Sequence, residues 1–166
     1  MKELCREGND RLLEYTPTVG KPLAVNFEPM NPVRRIRFLL EYLGKGHYKV
    51  FYLEHGGELV GHCVVSRGGR RLKCSSAEDI VLGPYYVKKE HRGKGYSKQM
   101  VQMVLAHNDF RYAFDWVEKD NIASCRTSEA CGFEKVGELN VSRWLRRLTM
   151  VEQGDDHIYR YQKSET

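Results

Sequence analysis

A glycine-rich turn near the middle of the chain has the residue types of an anion-binding site. Arg92-Gly93-Lys94-Gly95-Tyr96-Ser97 lies between a strand-like segment ending at Val87 and a helical pattern beginning at Tyr96. The first N–H groups of a helix have no partner within it, and the helix dipole favours negative charge there. Glycines allow a close backbone approach, and Arg92 and Lys94 add positive charge. The turn therefore predicts a phosphate site, although a tight turn without a ligand is the alternative.

The turn does not match the two commonest phosphate motifs. A Walker A loop would be longer and would contain Gly-Lys-Ser/Thr. A dinucleotide fingerprint would need Gly-x-Gly-x-x-Gly after the first strand of a doubly wound sheet. Neither pattern is present in this turn.

Residues before the turn are candidates for proton transfer. Asp79 begins the strand-like segment that ends at Val87, and it is a candidate base; a solvated loop carboxylate is the alternative. His62 lies in an apolar strand, where a core histidine is the more common role. Tyr85 and Tyr86 point to opposite faces of their strand, so one of them faces any cleft beside it.

The elements that would position these residues follow from hydrophobic periodicity and from breaker residues. Residues 1 to about 30 show no clear pattern, and the rest predicts a mixed sheet with helices packed on it, an α/β (α+β) fold. The predicted helices are Asn31 to Gly44, Tyr96 to His107 and Asn121 to Cys131, and the predicted strands are Tyr48 to Glu54, Leu59 to Ser66, Asp79 to Val87, Tyr112 to Val117, Phe133 to Leu139 and His157 to Lys163.

Length and charge narrow the class of protein. The 166 residues suit one domain, 1–166. The net charge of +5 is spread over separate clusters, which favours a local anion site over a nucleic-acid track. No segment is apolar enough to span a membrane or to act as a signal peptide, and five cysteines without metal-type spacing suggest reduced thiols. We therefore expect a cytoplasmic protein that binds neither membrane, nucleic acid nor metal.

Two motifs together resemble the GCN5-related N-acetyltransferase (GNAT) superfamily. Arg92-x-x-Gly95-x-Ser97 is similar to the pyrophosphate-binding pattern Gln/Arg-x-x-Gly-x-Gly/Ala, with Ser97 as a small departure. Downstream, Asn121-Ile122-Ala123-Ser124 and the later Gly132-Phe133 resemble the Asn-x-x-Ala/Ser helix of that family and the Gly-Phe that follows it. The resemblance covers roughly residues 48 to 139.

The resemblance implies a GNAT fold, with a mixed central sheet of about six to seven strands flanked by helices. The central parallel strands, Asp79 to Val87 and Tyr112 to Val117, would splay apart to admit the pantetheine arm of acetyl-CoA. Ser124 would allow a close approach of its helix, and Asn121 would contact the arm. The other implied cofactor contacts are Tyr85, Tyr86 and Val87 with the arm, Arg92 as countercharge, and the amides of Gly93, Lys94, Gly95, Tyr96 and Ser97 with the pyrophosphate.

The implied reaction is transfer of the acetyl group to a primary amine by direct attack in a ternary complex. Many family members carry a tyrosine acid seven residues after the helix-starting asparagine, and this chain has Ser128 there. Ser128, Asp79 and Tyr85 are the catalytic candidates. Serine is a poor general acid at neutral pH, which leaves two alternatives: its hydroxyl relays a proton from water, or the CoA thiolate, a fairly good leaving group, departs without a dedicated acid.

The sequence is compatible with four functions. The first expectation is acetylation of a small-molecule amine, and the second is acetylation of a protein N-terminus or lysine. A CoA-binding regulatory module without catalysis is a third. A nucleic-acid-binding domain is a fourth, but neither a recognition helix nor a stacking sheet is evident. Formation of a homodimer is also left open.

Overall fold

A computed structural model describes residues 1–27, 32, 33, 35, 36, 38, 39, 48–69, 72–142 and 147–163. Within these residues, nine strands form one sheet. Their bounds are β1 Lys2–Glu7, β2 Asp10–Tyr15, β3 Tyr48–His55, β4 Glu58–Arg67, β5 Ile80–Val87, β6 Tyr112–Glu118, β7 Glu134–Val141, β8 Leu148–Val151 and β9 Asp156–Gln162. The spatial order is β1-β2-β3-β4-β5-β6-β9-β7-β8, and β5 and β6 are parallel.

Two helices lie beside the central strands: α1, Tyr96–Ala106, and α2, Ile122–Ala130. Helix α1 buries Met100, Val101 and Val104 because these positions share one face at a spacing of three to four residues. The described residues between 32 and 39 are also helical, as predicted. The other positions predicted to start, line and end that helix, Asn31, Leu40, Leu43 and Gly44, lie outside the described residues.

Both faces of the sheet are covered by apolar side chains. The largest buried cluster joins α1 and α2 to one face and includes Phe51 and Ala113. Strand neighbours point to opposite faces, so Tyr52 and Phe114 belong to two further clusters on the other side. The central strands are therefore buried on both faces, as their nearly continuous apolar sequences require.

The central parallel pair separates soon after it begins. Strands β5 and β6 are paired only at Ile80 with Ala113 and at Val81 with Phe114. Beyond Val81, β5 continues to Val87 while remaining paired with β4 on its other edge. A cleft therefore opens towards the carboxyl ends of β5 and β6, and this confirms the predicted splay.

The sheet is wider than predicted. The expectation was six to seven strands, but β1 and β2 form an N-terminal hairpin and β8 adds a short strand at the far edge. All five cysteines are free, as expected. No helix in the described part of the chain is long and apolar enough to cross a membrane.

Candidate active site

The glycine-rich turn places an uncapped helix N-terminus at the open end of the cleft. Gly93 and Gly95 have φ of 77° and 85°, a region that favours glycine. No side chain among the described residues caps α1, whose first turn carries no acidic group. A Cβ built at either glycine would meet no described atom within 4 Å. The space beside both glycines is therefore open, and the uncapped helix N-terminus next to it is suited to an anion.

The two basic residues of the turn behave differently. The Nε of Arg92 donates to the carbonyl oxygen of Val87 at 3.0 Å, and its guanidinium lies 5.3 Å from the ring centroid of Tyr86. Arg92 therefore ties the turn to the end of β5. Lys94 is exposed, so its charge is available to a ligand.

The edge of β5 that faces the cleft has no strand partner among the described residues beyond Val81. Tyr85 and Val87 lie on this segment, and the opposite edge is held by pairing with Cys63 and Gly61 of β4. An edge without a strand partner is suited to an extended amide-containing chain, although the carbonyl oxygen of Val87 already accepts the hydrogen bond from Arg92. Tyr85, Tyr86 and Val87, for which the family resemblance implies a pantetheine contact, thus lie on the strand that borders the cleft.

Helix α2 covers the same cleft from the side of β6. Asn121 caps it, since its Oδ1 accepts a hydrogen bond from the N–H of Ser124 at 3.2 Å. That contact uses the side-chain oxygen and leaves the amide NH₂ for a ligand. The carbonyl oxygen of Ser124 points towards β5, where the hydroxyl of Tyr85 lies 3.3 Å away.

Three polar side chains meet where the cleft closes. The hydroxyl of Ser128 lies 2.7 Å from Oδ2 of Asp115, and the hydroxyl of Tyr85 lies 3.5 Å from the same atom. Ser128 is only 1% exposed and Asp115 only 2% exposed. The structure thus brings together two of the three predicted catalytic residues and adds a carboxyl group to them.

Burial controls the protonation of this cluster. It raises the pKa of Asp115 to about 6, although hydrogen bonds from Ser128, from the Trp116 backbone and from Tyr85 act in the opposite direction. Burial is also the largest cause that raises the pKa of the Tyr85 phenol, followed by the nearby charge of Asp115. Tyr85 therefore stays protonated at neutral pH.

Asp79, the third catalytic candidate, lies elsewhere. It precedes β5 at the end where β5 and β6 are paired, about 20 Å of strand from Tyr85. Its carboxylate accepts hydrogen bonds from the N–H and hydroxyl of Ser76 and from the N–H of Tyr112. These are the contacts of a structural carboxylate that fixes a loop to β6. The prediction of Asp79 as the base is corrected accordingly, because the cleft opens at the other end.

Asp115 was not among the site residues predicted from sequence. Its neighbours on the same face of β6, Ala113 and Val117, are both buried in the main core. The sequence does carry a sign of this site, namely an acidic residue at an inward-facing position of an apolar strand. A buried carboxyl group is rarely retained without a partner or a role.

His62 lies on the opposite face of the sheet. It is 3% exposed, and its ring stacks on Phe27 at 5.4 Å and on Tyr86 at 6.0 Å between centroids. This packing fits the core histidine favoured by the sequence.

Comparison with known proteins agrees with this geometry. The model of the acetyltransferase (GNAT) family matches residues 18–133, whereas no curated protein matches significantly. An acetyltransferase from Thermus thermophilus is 20% identical, with a TM-score of 0.60 over 82% of this chain and 77% of that one. A putative acetyltransferase from Salmonella typhimurium, solved with acetyl-CoA, is 17% identical, with a TM-score of 0.55 over 93% and 95%.

A third similar structure is a ribosomal L7/L12 alpha-N-protein acetyltransferase in complex with coenzyme A, which is 14% identical with a TM-score of 0.63 over 97% of this chain and 98% of that one. At these identities the structures show a shared fold, whereas the family model matches the chain across the turn, the cleft and α2. The chain belongs to the acetyltransferase (GNAT) family, whose members transfer an acetyl group from acetyl-CoA.

Proposed function

We propose that the protein transfers the acetyl group of acetyl-CoA to a primary amine, most simply that of a small molecule, by direct attack in a ternary complex. The observation that carries the proposal is the uncapped, glycine-rich N-terminus of α1 at the open end of the cleft between β5 and β6. An anion site and a free strand edge, placed end to end, fit a pyrophosphate joined to an amide-containing arm.

In this reaction, residues of the chain would bind the thioester and transfer protons. The neutral amine nitrogen attacks the thioester carbonyl carbon, the C–S bond breaks, and the sulfur takes up one proton as the nitrogen loses one. An unpaired N–H group of β5 is suited to hold the developing oxyanion. Ser128 and Tyr85 are the hydroxyl groups at the closed end of the cleft.

Acetylation of a protein N-terminus is the second candidate. It is favoured by the similarity of the fold, over nearly the full length of both chains, to the L7/L12 alpha-N-protein acetyltransferase. An assay of CoA thiol release with small amines, lysine peptides and peptides with free N-termini separates the two candidates. Thiol release with small amines alone supports the first. Binding of acetyl-CoA without release from any acceptor would identify a regulatory module and contradict both.

Two glycine-to-valine variants test the cofactor site, one in the glycine-rich turn and one in a different turn as its control. We expect Gly95→Val to abolish measurable acetyl-CoA binding in calorimetry, because its Cβ would occupy the space in which the phosphate meets the backbone. Gly57→Val, in the turn between β3 and β4, is the control: Gly57 has a φ of 90° against 85° for Gly95, and a Cβ built at either meets nothing within 4 Å. Both variants carry the same backbone strain, so a loss of binding in both would argue against the phosphate site.

A further inference from the structure

A buried carboxyl group lies at the closed end of the cofactor cleft. Asp115 directly follows Phe114, the last residue of β6 that pairs with β5. A ligand arm that enters between the carboxyl ends of two parallel strands can advance only as far as the last hydrogen-bonded pair of those strands. The tip of an acyl-pantetheine arm in this cleft would therefore lie near Asp115.

Two hydroxyl groups share the same two acceptors at this point. Ser128 Oγ lies 2.7 Å from Asp115 Oδ2 and 3.1 Å from the carbonyl oxygen of Ser124. Tyr85 Oη lies 3.5 Å and 3.3 Å from the same two atoms. The cluster thus links β5, β6 and α2 across the cleft. At 2.7 Å, either Ser128 donates to the carboxylate or a protonated Asp115 donates to Ser128, so a proton can move along this contact.

Within the described part of the chain, no positive charge offsets the carboxylate. Among the described residues, the charge of Asp115 acts on three titratable groups in the elements packed around it: Cys63 on β4, Tyr85 on β5 and Cys131 at the end of α2. All three are neutral acids, and burial raises the pKa of each. Asp115 consequently holds a proton up to a higher pH than an exposed carboxyl group does, and its pKa is raised to about 6.

We propose that Asp115 is a positioning residue which supplies, through the hydroxyl of Ser128, the proton that the departing CoA sulfur takes up. This inference rests on the proposed function. When the C–S bond breaks, the sulfur leaves with the electron pair; the Ser128 hydroxyl gives its proton to the sulfur, and protonated Asp115 gives its proton to Ser128 Oγ. Asp115 is left as a carboxylate and regains a proton from water after CoA leaves. The amine releases its proton to water, which balances the proton that Asp115 regains.

The first test needs no amine acceptor. The thiol pKa of bound CoA is measured from the ultraviolet absorbance of its thiolate, in the parent and in Asp115→Asn. Asparagine removes the negative charge that opposes ionisation of a nearby thiol, so we expect the thiol pKa to be lower in the variant by about one unit. Glu118→Gln, at the exposed end of the same strand, is the charge-matched control and should leave the thiol pKa unchanged.

The second test uses the acceptor found in the thiol-release assay. In the parent, kcat should fall as pH rises through the pKa of Asp115 in the complex, because only protonated Asp115 donates. Asp115→Asn and Ser128→Ala should each lower kcat about 100-fold and leave the KM for acetyl-CoA nearly unchanged. In both variants kcat should no longer fall as pH rises through the pKa of Asp115; this fall is the descending limb of the pH profile. The double variant should be no slower than either single variant, because both residues act in one relay.

Each outcome separates the inference from the function on which it rests. A parent protein that does not bind acetyl-CoA overturns the proposed function. A parent that binds and transfers, combined with an unchanged thiol pKa or a retained descending limb in Asp115→Asn, overturns the relay alone. Should Asp115→Asn fail to fold, Asp115→Ser removes the same charge with a smaller side chain and gives the same readouts.

Discussion

At the scale of single residues, the small side chain at position 128 determines what else fits beside it. Ser128 and the Tyr85 hydroxyl lie against the same turn of α2 and against the same carboxylate oxygen. Because Ser128 is only 1% exposed, a tyrosine at 128, which the family pattern favours, would have to displace neighbouring side chains. The chain therefore retains a tyrosine hydroxyl at the closed end of the cleft, but it comes from β5 rather than from α2.

The raised pKa of Asp115 has a consequence for stability. A carboxyl group whose pKa is raised from 3.8 when unfolded to about 6 when folded binds more protons in the folded state over that interval. Stability must therefore fall as pH rises from about 4 to about 6, by on the order of 3 kcal/mol for this group. Urea unfolding across this pH range gives the unfolding free energies of the parent and of Asp115→Asn. The parent value minus the variant value should fall by on the order of 3 kcal/mol between about pH 4 and pH 6 and then stay constant. A difference that does not vary with pH would mean that Asp115 is ionised normally.

At the scale of elements, β5 is fixed on one edge and free on the other. Its pairing with β4 extends to Val87, opposite Gly61. A Cβ built on Gly61 would lie 2.6 Å from the backbone oxygen of Tyr86, a distance that real Cβ atoms do not adopt. The absence of a side chain at position 61 therefore allows β4 to hold the segment of β5 whose free edge faces the cleft.

Gly61→Ala tests this arrangement. The strands must move apart at Tyr86, so we expect a loss of about 2 kcal/mol in unfolding free energy and weaker acetyl-CoA binding in calorimetry. Gly20→Ala is the control, because a Cβ there meets nothing within 4 Å and its backbone needs no positive φ. If Gly61→Ala binds acetyl-CoA as tightly as Gly20→Ala does, the free edge of β5 does not contact the cofactor.

Most elements predicted from sequence were those whose apolar residues repeat with a clear period, whereas α2, which buries only Cys125 and Ser128, was predicted from the residues at its two ends. Helix α1 was predicted to within one residue of its end, and the splay was expected from the family resemblance. The hairpin β1–β2 was missed because much of β1 is exposed and polar, and it joins β2, its one neighbour in the described sheet, partly through ion pairs such as Glu3 with Arg11. The four-residue β8 is too short to show alternation. Edge strands of this kind are defined by pairing partners that lie far away in sequence.

The site was also predictable only in part, because some of its residues are brought together by elements that lie far apart in sequence. Motif spacing placed the turn and Asn121, because both depend on local sequence. The meeting of Tyr85, Asp115 and Ser128 depends on the separation of β5 from β6 and on the packing of α2 across it. Local sequence does not encode that convergence, and it likewise could not show that Asp79 lies at the other end of its strand.

At the scale of the whole molecule, the net charge of +5 attracts an anionic cofactor from a distance. Such steering depends on total charge and is screened within roughly 10 Å at an ionic strength near 0.1 M. A cation in the glycine turn adds a local contribution that a cation elsewhere on the surface does not. Lys94 is in the turn, whereas Lys2 lies on β1, the edge strand opposite β8, and both are exposed.

Lys94→Ala and Lys2→Ala change the net charge equally, so comparing them separates local from global attraction. We expect Lys94→Ala to weaken acetyl-CoA binding about fivefold at low salt, or ~1 kcal/mol, and less at high salt, because an exposed charge is screened. Lys2→Ala should change the dissociation constant by much less. Repeating the titrations with dephospho-CoA locates the contact: the same loss places Lys94 at the pyrophosphate, and no loss places it at the 3′-phosphate. Equal weakening by the two variants with acetyl-CoA would show that only the total charge matters and would remove Lys94 from the site.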